Sequence, residues 1–269
     1  MPSDTSRHIA ADDRYETGRR RGRARSAMLS TALFYPRLAC IVLAASRKAK
    51  RGRYDRIEWT KSSITTLQAL EKAGCRVEID GMSNISGFEG PAVFVANHMS
   101  TAETFLLPGI IDPVKHCTFV IKPSLMDYPF FGRVMRSRKP IVVSRDNPRR
   151  DLSIVLEEGL KKLEAGTSIV LFPQTTRVIG FDPARFNSLG VKLARSAGVP
   201  VAPVALRTDA WGNGRLIKEF GRIDPNIPIR ISFGEAEYIS GNGREEHARI
   251  SDYISGKLRL WGAPTAAVP

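Results

Sequence analysis

The stretch Pro91-Ala92-Val93-Phe94-Val95-Ala96-Asn97-His98-Met99-Ser100-Thr101-Ala102-Glu103 packs an apolar run, a histidine and a helix start into thirteen residues. Residues 92–96 are short, apolar and Val-rich, which predicts a buried strand. Ser100 to Glu103 fits a capping box, with Ser100 at the N-cap and Glu103 at the third helical position, and predicts a helix over 101–111. His98 therefore falls between a strand end and a helix start, a frequent place for chemistry in α/β folds. Helical side chains tilt toward the N-terminus, so Glu103 points back at His98. One carboxylate oxygen can orient the imidazole while the other accepts a backbone N–H. A capping acid with no other duty explains Glu103 equally well, and the two roles are compatible. A neutral imidazole held this way takes a proton from a substrate hydroxyl near neutral pH. The carboxylate fixes its tautomer and stabilises the imidazolium that forms. No enzyme nucleophile is needed, because the acceptor hydroxyl itself attacks.

Outward from this stretch, short apolar runs alternate with helical periodicity. Strands are expected at 76–79, 92–96, 118–121, 141–143, 168–172, 201–206 and 229–233. Helices are expected at 101–111, 151–165, 188–197 and 245–260. The alternation predicts an α/β fold: a mixed, largely parallel sheet flanked by helices, with an N-terminal membrane-associating helical segment. A further helix over 57–73 is stopped by Gly74, and its Trp59 suits either a headgroup interface or the core. The organisation expected is a disordered basic arm at 1–26, a membrane-associating helical segment at 27–74 and one domain at 75–269.

Net charge is +14, with 41 Lys and Arg against 27 Asp and Glu, which predicts an anionic partner. Residues 1–56 hold fourteen basic and five acidic residues, so +9 of the +14 lies there. The stretch 27–45 is apolar and about long enough to span a bilayer, but Pro36 and Arg37 sit at its middle. An Arg at that depth costs roughly 2.5–3.5 kcal/mol. Basic clusters flank the stretch on both sides, favouring the cytoplasmic side for both ends. The expectation is a broken or re-entrant segment dipping into one leaflet at the cytoplasmic face of the inner membrane. A core helix, a single span and a cleaved signal peptide are the alternatives. Nucleic acid fits the charge less well, because the excess adjoins an apolar segment and no nucleic-acid-binding motif is present. Cys40, Cys75 and Cys117 lack metal-ligand spacing, so neither a metal site nor a disulfide framework is expected.

Cations recur at expected strand ends: Lys122, Arg145 and Arg177. Singly each reads as a solvated surface charge. Together, beside a candidate base, they form an anion site. Thr175 and Thr176 add hydroxyls, and the Arg177 guanidinium offers a fork suited to phosphate.

At these residues the chain resembles the 1-acylglycerol-3-phosphate acyltransferase family, over about residues 82–235. Four blocks stand in the family's order. Asn97 to Glu103 resembles the His-x4-Asp block, with Glu in place of Asp. Phe131-Gly132 through Arg145 resembles the second, which ends on an acceptor-phosphate arginine. Phe172 to Val178 resembles the third, with Gln174 for Glu and Thr175 for Gly, and 199–205 resembles the fourth. The resemblance implies transfer of a fatty acyl group from acyl-CoA or acyl-carrier protein to the free hydroxyl of a lysophospholipid. The expected acceptor is 1-acylglycerol-3-phosphate, giving phosphatidate. His98 and Glu103 are then catalytic, and Lys122, Arg145 and Arg177 bind phosphate. Gln174, Thr175 and Thr176 form a substrate or oxyanion loop. No metal, resident cofactor or acyl-enzyme is implied. The block departures keep open another lyso-lipid acceptor, such as a lyso-ornithine lipid, and a catalytically silent lipid-binding relative.

Overall fold

The computed structural model describes residues 12–18, 26–144, 146–174, 176–214 and 217–264. Its centre is an eight-stranded sheet in the order β1-β2-β8-β7-β3-β6-β4-β5. The strands are β1 Arg14–Glu16, β2 Val77–Asp80, β3 Val93–Ala96, β4 Cys117–Ile121, β5 Ile141–Val142, β6 Ser168–Leu171, β7 Val201–Arg207 and β8 Ile229–Phe233. Only β1–β2 and β7–β8 are antiparallel, so the sheet is mixed and largely parallel.

The helices are α1 Ala27–Lys50, α2 Arg56–Lys72, α3 Ser83–Ser86, α4 Ala102–Ile111, α5 Ser124–Asp127, α6 Phe131–Ser137, α7 Pro148–Glu164, α8 Leu189–Ala197 and α9 Arg244–Leu260. Strand alternation sends side chains to opposite faces. Phe94 and Ala96 of β3 pack with α1, α2 and α4 on one face. Val93 and Val95 pack with α7, α8 and α9 on the other. Cover on both faces explains why β3, β4 and β6 read as unbroken apolar runs. The order β7-β3-β6 sets the C-terminal ends of three parallel strands side by side, and the loops that leave those ends carry the site.

The N-terminal region departs from expectation in two ways. Within 1–26, expected as a structureless arm, Arg14–Glu16 pairs as an edge strand with β2. Tyr15 and Thr17 both donate to Glu71 of α2 at 2.7 Å, and Ser83 N–H donates to Asp13 at 2.8 Å. Three residues carry too little periodicity to announce a strand. The run Arg19 to Arg25 lies outside the described residues.

The second departure is α1, expected to be broken and found continuous through Pro36. Pro36 is exposed, and Arg37 turns its guanidinium back to the Leu33 carbonyl instead of entering an apolar interior. Ala27, Ser30, Phe34, Leu38 and Ala45 form a buried stripe at helical spacing. Phe34 meets Trp211 edge-on at 4.7 Å between centroids, and Ser30 donates to the Ala73 carbonyl at 2.7 Å. The opposite face stays exposed, with Met28 and Leu29 in solvent. By length and composition the helix could cross a membrane, yet one of its faces belongs to the core of the domain.

Helix α2 ends where expected, with Gly74 at φ +105°. Trp59, left open between interface and core, is buried edge-on to Phe119 at 5.8 Å. If α1 is docked, Phe34→Ala will cost about 3–5 kcal/mol of stability, as other buried Phe truncations do. Urea unfolding of the full chain in mild detergent measures this, and unchanged stability would mean that α1 does not pack on the domain.

Candidate active site

Helix α4 begins one residue later than the capping-box pattern predicts, with Thr101 at the N-cap and no cap bond from its side chain. Half of the box is present: Glu103 Oε1 accepts the Ser100 N–H at 2.9 Å. Ser100 Oγ accepts from Ala102 N, at 3.1 Å, and not from Glu103 N. The displaced start leaves Glu103 in the first turn with its carboxylate folded over the preceding loop.

That carboxylate is fully buried. Oε1 also accepts the Met99 N–H at 2.7 Å and the Thr208 hydroxyl at 2.5 Å. Oε2 meets His98 Nδ1 in a short contact. A buried carboxylate stays charged only with such partners, and hydrogen bonds to a charged acceptor are the strong ones. The α4 N-terminus adds its dipole. With Nδ1–H donated to Glu103, Nε2 carries the imidazole lone pair.

The His98 ring is locked further by stacking on Phe172 at 4.2 Å, with 17° between planes. Its backbone is held from both sides: His98 N–H donates to Gln174 Oε1 at 2.8 Å, and the His98 carbonyl accepts from Val178 N at 3.0 Å. The preceding Asn97 is buried between strands. Its amide donates to the Leu206 carbonyl and accepts from Leu206 N–H, both at 2.8 Å, pinning β3 to β7.

His98 lines a cavity of about 910 Å³. Thr101, Lys122, Thr176 and Arg177 supply polar lining, and Leu38 and Val42 of α1, Phe105, Phe131 and Met135 supply apolar wall. Cations, a candidate base and a long apolar surface thus share one space, which suits an amphiphile with an anionic head.

Arg177 is held in place. Its Nη1 donates to Thr101 Oγ1 and its Nη2 meets Glu219 Oε1. Tyr128 OH donates to Glu219 Oε2 at 3.1 Å. Burial alone would push the Glu219 carboxyl up. The Arg177 guanidinium bonded to it brings it net below the ordinary carboxylate value.

The structure therefore sets His98, Lys122, Thr176 and Arg177 on the wall of one cavity, with Glu103 and Gln174 buried behind it and bonded to His98. Gln174 is buried, and its side-chain oxygen bonds the His98 backbone, a structural contact. Arg145 and Thr175 lie outside the described residues. Sequence reasoning missed Thr208 and Glu219. Both lie in segments without motif or periodicity, and only the fold of the chain brings them to the site. Phe172 opens the third block, but nothing in the sequence marks it as a stacking partner.

The chain matches known proteins in sequence and in fold. The family model described as Acyltransferase matches residues 76–207, the span that holds His98, Glu103, Lys122 and Arg177. A 1-acyl-sn-glycerol-3-phosphate acyltransferase of Pseudomonas aeruginosa is 30% identical over 220 residues, covering 81% of this chain and 79% of the relative. The Escherichia coli enzyme of that name is 28% identical over 137 residues, 51% of this chain and 53% of the relative. The chloroplastic enzyme of Arabidopsis thaliana is 26% identical over 66% of this chain, which spans 49% of that longer protein. The crystal structure of the 1-acyl-sn-glycerophosphate acyltransferase PlsC of Thermotoga maritima superposes with a TM-score of 0.62. It covers 88% of this chain and 96% of that one at 22% identity, a likeness of fold. The chain belongs to the 1-acyl-sn-glycerol-3-phosphate acyltransferase family.

The Thr208 hydroxyl is a buried donor to a buried charge. Thr208→Val, nearly isosteric, will destabilise the protein by about 1–3 kcal/mol in denaturant unfolding. Thr208→Ser, which restores the hydroxyl, will recover most of that. A loss in Thr208→Ser with none in Thr208→Val would mean that the methyl group, not the hydrogen bond, matters.

Proposed function

We propose that the protein transfers a fatty acyl group from acyl-CoA or acyl-carrier protein to the free hydroxyl of 1-acylglycerol-3-phosphate, giving phosphatidate. The observation that carries this reading is the Glu103-held imidazole of His98 opening on the same cavity as Lys122 and Arg177. In the first step His98 Nε2 removes the acceptor hydroxyl proton as the oxygen attacks the thioester carbonyl. Glu103 stabilises the imidazolium. The tetrahedral adduct then expels the thiolate, and the imidazolium returns the proton to it, releasing a free thiol. Lys122 and Arg177, with Arg145 from sequence alone, hold the acceptor phosphate so that its hydroxyl meets Nε2. Gln174 bonds the His98 backbone and Thr176 lines the cavity, which suits them, with Thr175 from sequence alone, to the substrate's carbonyl side. No resident cofactor enters the scheme.

The test is acyl transfer by purified protein in detergent, with lysophosphatidate offered beside a panel of other lyso-lipids, lyso-ornithine lipid included. His98→Ala, with unfolding unchanged, will lower kcat by roughly 10²–10⁴-fold, the usual worth of a general base. Arg177→Gln will instead raise the acceptor KM. Full activity in His98→Ala would overturn the mechanism, and preference for another lyso-lipid would overturn the acceptor.

The proposed place of action is the cytoplasmic face of the inner membrane. The support is the exposed apolar face of α1 and the arginine run that precedes it. Residues 27–50 also build the core, so the clean test leaves them intact. Replacing Arg19, Arg20, Arg21, Arg23 and Arg25 by Gln removes charges worth about 1 kcal/mol each at an anionic leaflet. Binding to phosphatidylglycerol vesicles in a flotation assay will fall steeply, while folding stays as it was. Undiminished binding would rule out the arm as an electrostatic anchor.

A further inference from the structure

The cation expected to receive the acceptor's phosphate already holds an anion of the protein's own. Glu219 Oε1 lies against Arg177 Nη2, and Glu219 Oε2 accepts the Tyr128 hydroxyl at 3.1 Å. Both carboxylate oxygens are thus committed inside the cavity that His98 lines. The residue sits on a narrow hairpin closed by a Trp211–Ile223 bridge and by Gly212 N–H to the Arg222 carbonyl at 2.9 Å. Gly221 passes so close to Gly212 that a Cβ on Gly221 would fall 1.7 Å from the Gly212 oxygen. Tyr35 of α1 donates to the Gly221 carbonyl, and Trp211 Nε1 donates to the Glu219 carbonyl at 3.0 Å. The hairpin is therefore built to present Glu219, and the Arg177 pair does not rest on two loose surface side chains.

A carboxylate and a phosphate offer the same guanidinium fork the same kind of oxygens, and they compete for it. A phosphate monoester carries up to two negative charges and three acceptor oxygens, against one charge and two oxygens on Glu219. The carboxylate stays ionised beside Arg177, so the competition operates at neutral pH. We infer that Glu219 is an internal stand-in for the acceptor's phosphate, a tethered competitor that every phosphate-bearing acceptor must displace from Arg177 and that thereby sets the acceptor KM. This rests on the reading of Arg177 as an acceptor-phosphate ligand. Glu219 then tunes acceptor affinity without touching the reacting atoms.

The experiment compares acceptor kinetics of the full-length wild type, Glu219→Gln, Glu219→Asp and Arg177→Gln, with lysophosphatidate and with lysophosphatidylglycerol. Glu219→Gln keeps the shape and removes the charge. A partly buried ion pair of this kind is worth enough to shift affinity by roughly threefold to tenfold. The expected result is a lysophosphatidate KM lower by that factor with kcat little changed. The lysophosphatidylglycerol KM is expected to fall by a similar factor, because both headgroups open the same ion pair. Glu219→Asp restores the charge and returns both values toward wild type. A structural role alone would lower kcat in both Glu219 variants without lowering either KM, which overturns the inference. A rise in KM for Glu219→Gln overturns it too, since Glu219 would then assist binding. If Arg177→Gln raises the acceptor KM while Glu219→Gln changes nothing, only the stand-in role fails. If Arg177→Gln itself has no effect on KM, the phosphate-binding reading of Arg177 falls, and the inference with it.

Discussion

The buried carboxylate of Glu103 is the constraint from which the rest of the site follows. A negative charge with no solvent contact persists only when its oxygens are engaged, and here the partners come from three parts of the chain. Met99 and Ser100 N–H arrive from the loop after β3, Thr208 from just beyond β7, and His98 Nδ1 from the strand end itself. Each partner has its own requirement. The two amides need the loop to curl over the start of α4, and Thr208 needs β7 beside β3. That neighbourhood is secured by Asn97, whose side chain bonds both backbone groups of Leu206. The pairing of β3 with β7 and the orientation of the imidazole are thus one arrangement seen at two scales.

The same logic explains how the altered third block keeps its structural duty. Gln174 supplies its amide oxygen to the His98 backbone N–H. An amide oxygen serves that donor without adding a second carboxylate beside Glu103. The Glu103 side chain folds back from the first turn of α4 over the preceding loop. Glu103 reaches Nδ1 with one oxygen because its other oxygen is tied back to the loop amides. A shorter acid at that position would need the loop to approach the helix more closely.

Much of this was legible in the sequence, for reasons that differ by element. The expected strands from 76 onward all appear within a residue or so of their predicted bounds, because strands buried on both faces are unbroken apolar runs. Helices α7, α8 and α9 carry a clear 3.6-residue stripe against the sheet. The dyad was legible because its members are five residues apart on either side of a helix start. Short pieces were not: α3, α5 and α6 span too few residues for a period, and β1 is fixed by long-range bonds to Glu71 and Asp13. The continuity of α1 was hidden by Pro36, which reads as a break but is accommodated on the exposed face. Thr208 meets Glu103 across 105 residues of chain, and Glu219 meets Tyr128 across 91 and Arg177 across 42, separations that no local pattern reports.

Helix α1 links the two ends of the molecule's chemistry. Its buried stripe holds Phe34 against Trp211, and Trp211 in turn bonds the carbonyl of Glu219. Its next residues, Leu38 and Val42, form cavity wall. The same helix exposes apolar side chains on its outer face. A displacement of α1 along or away from the domain would therefore alter the apolar wall and, through Trp211 and Tyr35, the hairpin that carries Glu219 to Arg177. The apolar wall of the cavity and the placement of the Glu219 hairpin are thus both tied to how one 24-residue helix packs on α2 and α6. This coupling also accounts for a polar pair, Ser30 with the Ala73 carbonyl, inside an otherwise apolar contact. A hydrogen bond there fixes the axial register of α1 on α2, which apolar packing alone leaves free to slide.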